Sequence, residues 1–243
     1  MFRRTLRSIA AALPGRITGL IDYHRGYRTF YPWGGPMNGQ TARLEIARSI
    51  IEKYGIEQII ETGTFRGTTT EWFSQFGIPV LSAESQTRFA SFAQRRLAHQ
   101  HNVQIECSDS IAALKRWSKA SEVVSRRTLF YLDAHGEDHL PLREELEIIS
   151  RNFNSWIVII DDFKVPLDPD YGFDDYGPGQ VLDMEYVRRC NIPGAIAFFP
   201  TVAGKWETGS KRGCAVVAAN QELATKCYEM PLLRPATTVP DCK

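Results

Sequence analysis

The stretch Ile59-Ile60-Glu61-Thr62-Gly63-Thr64-Phe65-Arg66-Gly67-Thr68 decides how this chain folds. Its first residues belong to a short apolar run that ends at Glu61, with the length and β-branched content of a buried strand. Gly63 permits a tight turn directly after the strand, and Gly67 lets the following helix come close to the sheet. Outward from here the same alternation repeats. Apolar runs at 58–61, 79–84, 103–107, 129–133 and 156–161 read as strands. Helical patterns fall at 42–54, ahead of the first strand, and then at 68–76, 86–100, 110–121 and 142–151. Strands separated by helices of about 10–15 residues predict βαβ units and a parallel sheet. Beyond them, 196–199 and 214–219 are β-like, with Gly204, Gly209 and Gly213 between them and no helix. That spacing predicts an antiparallel hairpin on the sheet edge. The predicted class is therefore α/β, a doubly wound, mostly parallel sheet over residues 42–243. Residues 1–41 form an N-terminal helical and aromatic extension.

Composition narrows the function. The chain has 243 residues, 43% hydrophobic and 23% charged, which suits one large globular domain or one domain with an extension. Lys and Arg number 29 against 28 Asp and Glu, a net charge of +1, so no bulk attraction to nucleic acid is expected. Five cysteines (Cys107, Cys190, Cys214, Cys227 and Cys242) show neither CxxC nor Cys/His spacing. They argue against a zinc site or a disulfide scaffold and for a reducing, cytoplasmic setting. Near the start, Phe2, Leu6, Ile9, Ala10 and Leu13 recur at helical spacing with Arg3, Arg4 and Arg7 between them. Pro14 and Arg16 interrupt the run before a signal-peptide core could form. No stretch approaches the roughly 20 apolar residues of a transmembrane span. This helix is expected to pack on its own domain or on a second subunit of a homo-oligomer, with a basic contact to a membrane surface as the other option.

The loop after the first strand reads E-x-G-x-x-x-G, not the G-x-G-x-x-G that cradles a dinucleotide pyrophosphate. A carboxylate at Glu61 would repel a pyrophosphate, but it suits the cationic amino-acid end of a sulfonium cofactor. Glu84 ends the second strand, where a carboxylate can accept hydrogen bonds from both ribose hydroxyls, or else is a solvated strand end. Cys107-Ser108-Asp109-Ser110 closes the third. Asp109 could accept from an adenine amino group or cap the next helix, and Ser108 or Ser110 could do the same. Three acids at the carboxyl ends of consecutive strands lie on the edge where open α/β sheets bind ligands.

Glu61, Thr62, Gly63, Thr64, Phe65, Arg66 and Gly67, with Glu84 and Asp109, resemble the cofactor motifs of class I S-adenosylmethionine-dependent methyltransferases. The resemblance spans roughly residues 55–219. It implies S-adenosyl-L-methionine as cofactor and a Rossmann-like sheet of seven strands whose last strand is antiparallel. The implied cofactor-binding set is Glu61, Thr62, Gly63, Thr64, Arg66, Gly67, Glu84, Ser108, Asp109, Ser110 and Asp133.

The fourth and fifth strands end in Tyr131-Leu132-Asp133-Ala134-His135-Gly136 and Ile159-Ile160-Asp161-Asp162-Phe163. Three carboxylates at neighbouring strand ends repel one another unless protonated or bridged by a cation. Oxygen ligands favour Mg²⁺ first, then Mn²⁺ or Ca²⁺. The plainer reading has Asp161 and Asp162 begin a turn while Asp133 meets the cofactor alone. In order and spacing, Asp133, Asp161 and Asp162 are similar to the metal ligands of the magnesium-dependent O-methyltransferases that tailor sugars in macrolide and aminocoumarin antibiotics. That likeness implies metal-assisted O-methylation of a small hydroxylated molecule, a sugar or natural product. The acceptor-binding segments of that group have no counterpart here, so the acceptor does not carry over. His135, two positions after Asp133, is the candidate proton acceptor or else a structural histidine. The loop 166–179, rich in Gly, Asp and Tyr, is either a lid over the acceptor or a plain surface loop. Tyr27, Tyr31 and Trp33 could cover the same mouth. Two alternatives remain: a metal-independent methyltransferase, and a cofactor-binding partner protein without catalysis.

Overall fold

The computed structural model describes residues 14–26, 32–136 and 139–236. In chain order the helices and strands are α1 (Gly15–His24), α2 (Thr41–Tyr54), β1 (Gln58–Thr62), α3 (Thr68–Ser74), β2 (Val80–Glu84), α4 (Thr87–Arg96), β3 (Val103–Cys107), α5 (Ser110–Trp117), α6 (Ser121–Val124), β4 (Arg127–Leu132), α7 (Leu142–Asn152), β5 (Ser155–Ile160), α8 (Met184–Arg188), β6 (Ile196–Pro200), β7 (Ala215–Ala218), α9 (Gln221–Tyr228) and β8 (Leu233–Pro235).

The sheet has eight strands in the order β3-β2-β1-β4-β5-β7-β6-β8. β1 to β5 run parallel, as the alternation of strands and helices predicts. The predicted antiparallel pair of C-terminal strands is present on the β5 side of the sheet, with one further strand outside it. β7 inserts between β5 and β6, antiparallel to both, and β8 pairs outside β6 as an eighth strand. Successive residues of each strand face opposite sides. Ile60, Phe130, Val158 and Val217 pack with α5 and α7, while Ile59, Leu129, Ile157 and Val216 pack with α2, α3 and α9. Both faces are covered, so the strands read as near-continuous apolar runs.

Several boundaries move. The helix expected over 110–121 stops at Trp117, and the one expected over 86–100 stops at Arg96. The short α8, α9 and β8 carry too little periodicity to be seen in advance. α1 packs on α4 of its own domain: Arg88 pairs with Asp22 at 2.6 Å, and the Tyr23 and Phe92 rings meet edge to face. The helical pattern at residues 2–13 lies outside the described residues, as do Tyr27 and Tyr31. Among the described residues no helix is long and apolar enough to cross a membrane.

Candidate active site

β1 and β4 are adjacent, and the chain winds away from them in opposite directions, so their carboxyl ends open a crevice. Two loops meet there. Gly63 has φ +90°, and a Cβ on it would drive into the carbonyl oxygen of Asp133, so only glycine permits this approach. The Gly63 N–H donates to the Ala83 carbonyl and the Asp133 N–H to the Thr62 carbonyl, each at 2.9 Å. Gly67, φ +74°, faces Ala93 and Leu97 of α4, the close helix approach expected of it. The crevice widens into a cavity of about 980 Å³, within the size range of cofactor and ligand sites.

One flank of the cavity carries the residues expected to meet a nucleoside. Gly63, Glu84, Ser108, Asp109 and Ser110 all line it. The Glu84 carboxylate accepts the backbone N–H groups of Phe65 and Gln86 at 2.8 and 2.7 Å. Burial still raises its pKa above the usual carboxylate range. Asp109 caps α5, accepting the Ala112 N–H at 2.9 Å, and its chain position also places it on the cavity wall. Trp33, Phe65 and Phe89 stack in sequence at the mouth, with centroids 5.2 and 4.3 Å apart.

The other expected residues lie behind this wall. Glu61 does not face the cavity. Its buried carboxyl accepts Thr70 Oγ1 at 2.5 Å and Ser82 Oγ at 2.6 Å, and burial raises its pKa to about 7. Thr62 is fully buried, and Thr64 bonds Ser82. The Arg66 guanidinium sits over the Phe65, Phe89 and Phe92 rings. A further acid lies beneath. Glu145 of α7 is buried against the Ser110 and Thr62 hydroxyls, which offset only part of the rise of its pKa to about 7. None of the three makes a well-formed hydrogen bond: Glu145 Oε1, Ser110 Oγ and Thr62 Oγ1 are buried without one.

On the opposite flank the expected trio of aspartates is not assembled. Asp161 is 1% exposed, and its carboxylate is taken by four donors. Oδ1 accepts Arg43 Nη1 and the Asp162 N–H, while Oδ2 accepts Tyr131 Oη and Asn38 Nδ2. Burial alone would lower the pKa of Arg43, but Asp161 beside it raises it well above the ordinary value. Arg43 also holds the Arg212 and Gly213 carbonyls. The sequence carried a signal for this ion pair. Arg43 sits in register with Ile46, Ala47, Ile50 and Tyr54, the buried face of α2.

The groups that do converge are Asp133, His135 and Asp162, with one ligand atom from each within 4.8 Å of the others. Asp162 has φ +50°, an unfavourable conformation for a residue with a side chain. Its Oδ1 accepts Arg212 Nε at 2.6 Å, and its Oδ2 lies 3.9 Å from His135 Nε2. Burial raises Asp162 to about 6, with Asp161 adding to the effect and Arg212 opposing it. Burial, then repulsion from Asp161 and Asp162, holds Asp133 well above the usual carboxylate range. His135 has a side chain 1% exposed, and burial lowers its pKa, so the ring is neutral near pH 7. Its Nε2 has no hydrogen-bond partner among the described residues.

Arg212 and the loop 166–179 were not foreseen as a unit. Arg212 bridges Asp162 and Asp174, and Asp174 accepts the Leu182 N–H while donating its own to the Asp162 carbonyl. Gly172 exchanges backbone bonds with Lys211 and Gly213, and the buried Tyr171 donates to the Val202 carbonyl at 3.0 Å. These bonds tie residues 171–174 to the chain around 202–213, and Asp174 lines the cavity.

No protein-family model matches the chain, and no curated protein is similar to it in sequence. Solved structures are similar in fold. An O-methyltransferase from Bacillus cereus in complex with S-adenosylhomocysteine matches with a TM-score of 0.55 and 16% identity, over 87% of this chain and 95% of that one. TomG from Streptomyces achromogenes, an O-methyltransferase of tomaymycin synthesis in complex with S-adenosylmethionine, matches at 0.53 and 17%, over 74% and 80%. The S-adenosylhomocysteine-bound methyltransferase PaMTH1 of Podospora anserina matches at 0.52 and 14%, over 82% and 87%. The chain thus shares the fold of these solved methyltransferases.

Proposed function

We propose that the protein is an S-adenosylmethionine-dependent methyltransferase acting on a hydroxyl of a small molecule, assisted by a divalent cation. The observation that carries this reading is the division of one cavity between two chemistries. Gly63, Glu84 and Asp109–Ser110 line the flank suited to a nucleoside, and Asp133, His135 and Asp162 line the flank suited to proton removal. The residues fit the cofactor. Gly63 and Glu84 line the cavity together, and each Glu84 oxygen accepts one backbone N–H and keeps a lone pair for a ribose hydroxyl. Bound there, the cofactor supplies an electrophilic methyl group.

This chain's own residues must then align the acceptor and take its proton. The mouth formed by Trp33, Phe65 and Phe89 offers flat apolar contact to a small acceptor. At the far flank, Asp162 Oδ2 and His135 Nε2 face one another at 3.9 Å, and in the metal-independent alternative either can receive the proton. The same groups fit a cation, because one ligand atom from each of Asp133, His135 and Asp162 lies within 4.8 Å of the others. A divalent ion, Mg²⁺ in the sequence reading, supplies positive charge that eases hydroxyl deprotonation. One observation favours the metal-independent alternative: Arg212 already neutralises part of the Asp162 charge.

Calorimetry tests the reading. S-adenosylhomocysteine is expected to bind in the micromolar range, roughly −8 kcal/mol, and NAD not to bind. Tight NAD binding without S-adenosylhomocysteine binding would overturn the proposal. Full turnover in excess EDTA would move it to the metal-free form.

A further inference from the structure

We infer that the cation site of this protein is built from Asp133, His135 and Asp162, with Asp161 excluded, and that it selects a first-row transition ion such as Mn²⁺ over Mg²⁺. The inference rests on the cation-assisted reading above and departs from the ligand set and the metal expected from the sequence.

Asp161 is unavailable on simple counting. A carboxylate offers about four lone-pair sites, and Arg43, the Asp162 N–H, Tyr131 and Asn38 already occupy them. Freeing Oδ1 would cost the buried Arg43 guanidinium its counter-charge, and freeing Oδ2 would strand the Tyr131 hydroxyl and the Asn38 amide. Asp162 is the reverse case. Arg212 occupies one oxygen, and the left-handed backbone at this residue leaves the other 3.9 Å from the His135 ring. The Asp133 carboxylate has no protein donor among the described residues.

The independent pointer is His135. Its side chain is 1% exposed, and Nε2 ends in the site with no partner among the described residues. A buried polar nitrogen without a hydrogen bond is costly, and such an atom in a native site calls for a missing partner. An imidazole N–H could donate to a carboxylate, but the Asp162 oxygen is 3.9 Å away, beyond hydrogen-bond reach. A metal ion would satisfy all three atoms together. One imidazole nitrogen with two carboxylates is a mixed donor set. Mg²⁺ favours oxygen ligands and holds its own waters, whereas imidazole suits transition ions.

The test uses the full chain stripped with EDTA, with Mn²⁺ alone as probe. Loss of the free-Mn²⁺ signal in electron paramagnetic resonance and parallel calorimetry should give one site, about tenfold or more tighter for Mn²⁺ than for Mg²⁺. Pulsed measurements on bound Mn²⁺ should show coupling to an imidazole nitrogen. H135A, checked for folding by circular dichroism, should weaken Mn²⁺ roughly 10–100-fold and remove the preference over Mg²⁺. D133N, checked the same way, should also lose the site. Equal Mn²⁺ affinity in H135A, absent nitrogen coupling, or a preference for Mg²⁺ would overturn the inference. So would failure to bind any divalent ion. S-adenosylhomocysteine binding in the same preparation then shows whether the methyl-transfer reading stands without it.

Discussion

Replacing Glu145 with glutamine should make the protein more stable at alkaline pH and leave it unchanged at acid pH. Glu145 is 1% exposed, and burial raises its pKa from the ordinary 4.5 to about 7, against the smaller opposing pull of the Ser110 and Thr62 hydroxyls. In the unfolded chain the same group ionises near its ordinary value. Between those two pH values the folded state holds a proton that the unfolded state has released, so stability falls as pH rises through the window. Below it both states are protonated and nothing is lost; above it the full cost is present. Each pH unit across the gap is worth about 1.36 kcal/mol, so the loss from this residue amounts to at most roughly 3 kcal/mol. Glutamine has the same shape and no charge to bury. Guanidinium unfolding at pH 4.5 and pH 8, for both proteins, reads the effect directly. The parent should lose stability over this interval, and E145Q should lose less, by up to that amount. A variant whose stability declines as steeply as the parent's would refute the reasoning and place the ionised carboxylate comfortably in its native pocket.

Two other substitutions probe the flanks of the cavity. E84A should weaken S-adenosylhomocysteine by about tenfold or more, near 1.4 kcal/mol, measured by calorimetry; unchanged affinity would remove Glu84 from the cofactor site. D161N should destabilise the protein by about 3–5 kcal/mol, because it leaves the Arg43 guanidinium buried without its counter-charge. As a metal ligand, Asp161 would have given the opposite result, relief of carboxylate repulsion, so a thermal melt of this variant separates the two roles.

The parts of this molecule readable from sequence are those where local chemistry dictates local geometry. Gly63 and Gly67 announce their loop because no other residue fits their backbone. The apolar runs of β1 to β5 announce a doubly covered sheet because both faces need burial. Cys107-Ser108-Asp109-Ser110 announces a helix start through its cap. What escaped notice depends on partners distant in the chain. Asp161 and Asp162 are identical neighbours in sequence, yet one is saturated by Arg43, Tyr131 and Asn38 while the other opens to the cavity. Nothing local distinguishes them. Glu61 looked like a cofactor acid until Thr70 and Ser82 were seen to close around it. The glycines of 166–179 suggested mobility, but Arg212, from a remote loop, holds that segment in place.

The position of β7 has a consequence for how the chain is made. β6 leaves the ribosome first, yet it reaches the sheet only through β7, which sits between it and β5. Until residues 215–218 emerge, the apolar segment Ile-Ala-Phe-Phe-Pro of β6 has no strand to pair with on either side. Open hydrophobic edges of this kind promote association between incomplete chains. Premature termination anywhere in 201–214 would thus yield a product with β1 to β5 able to pair and β6 left exposed. The same late step delivers Arg212 and the Gly213 carbonyl to Arg43. Closure of the sheet and completion of the acidic flank therefore belong to one event that follows the emergence of β6.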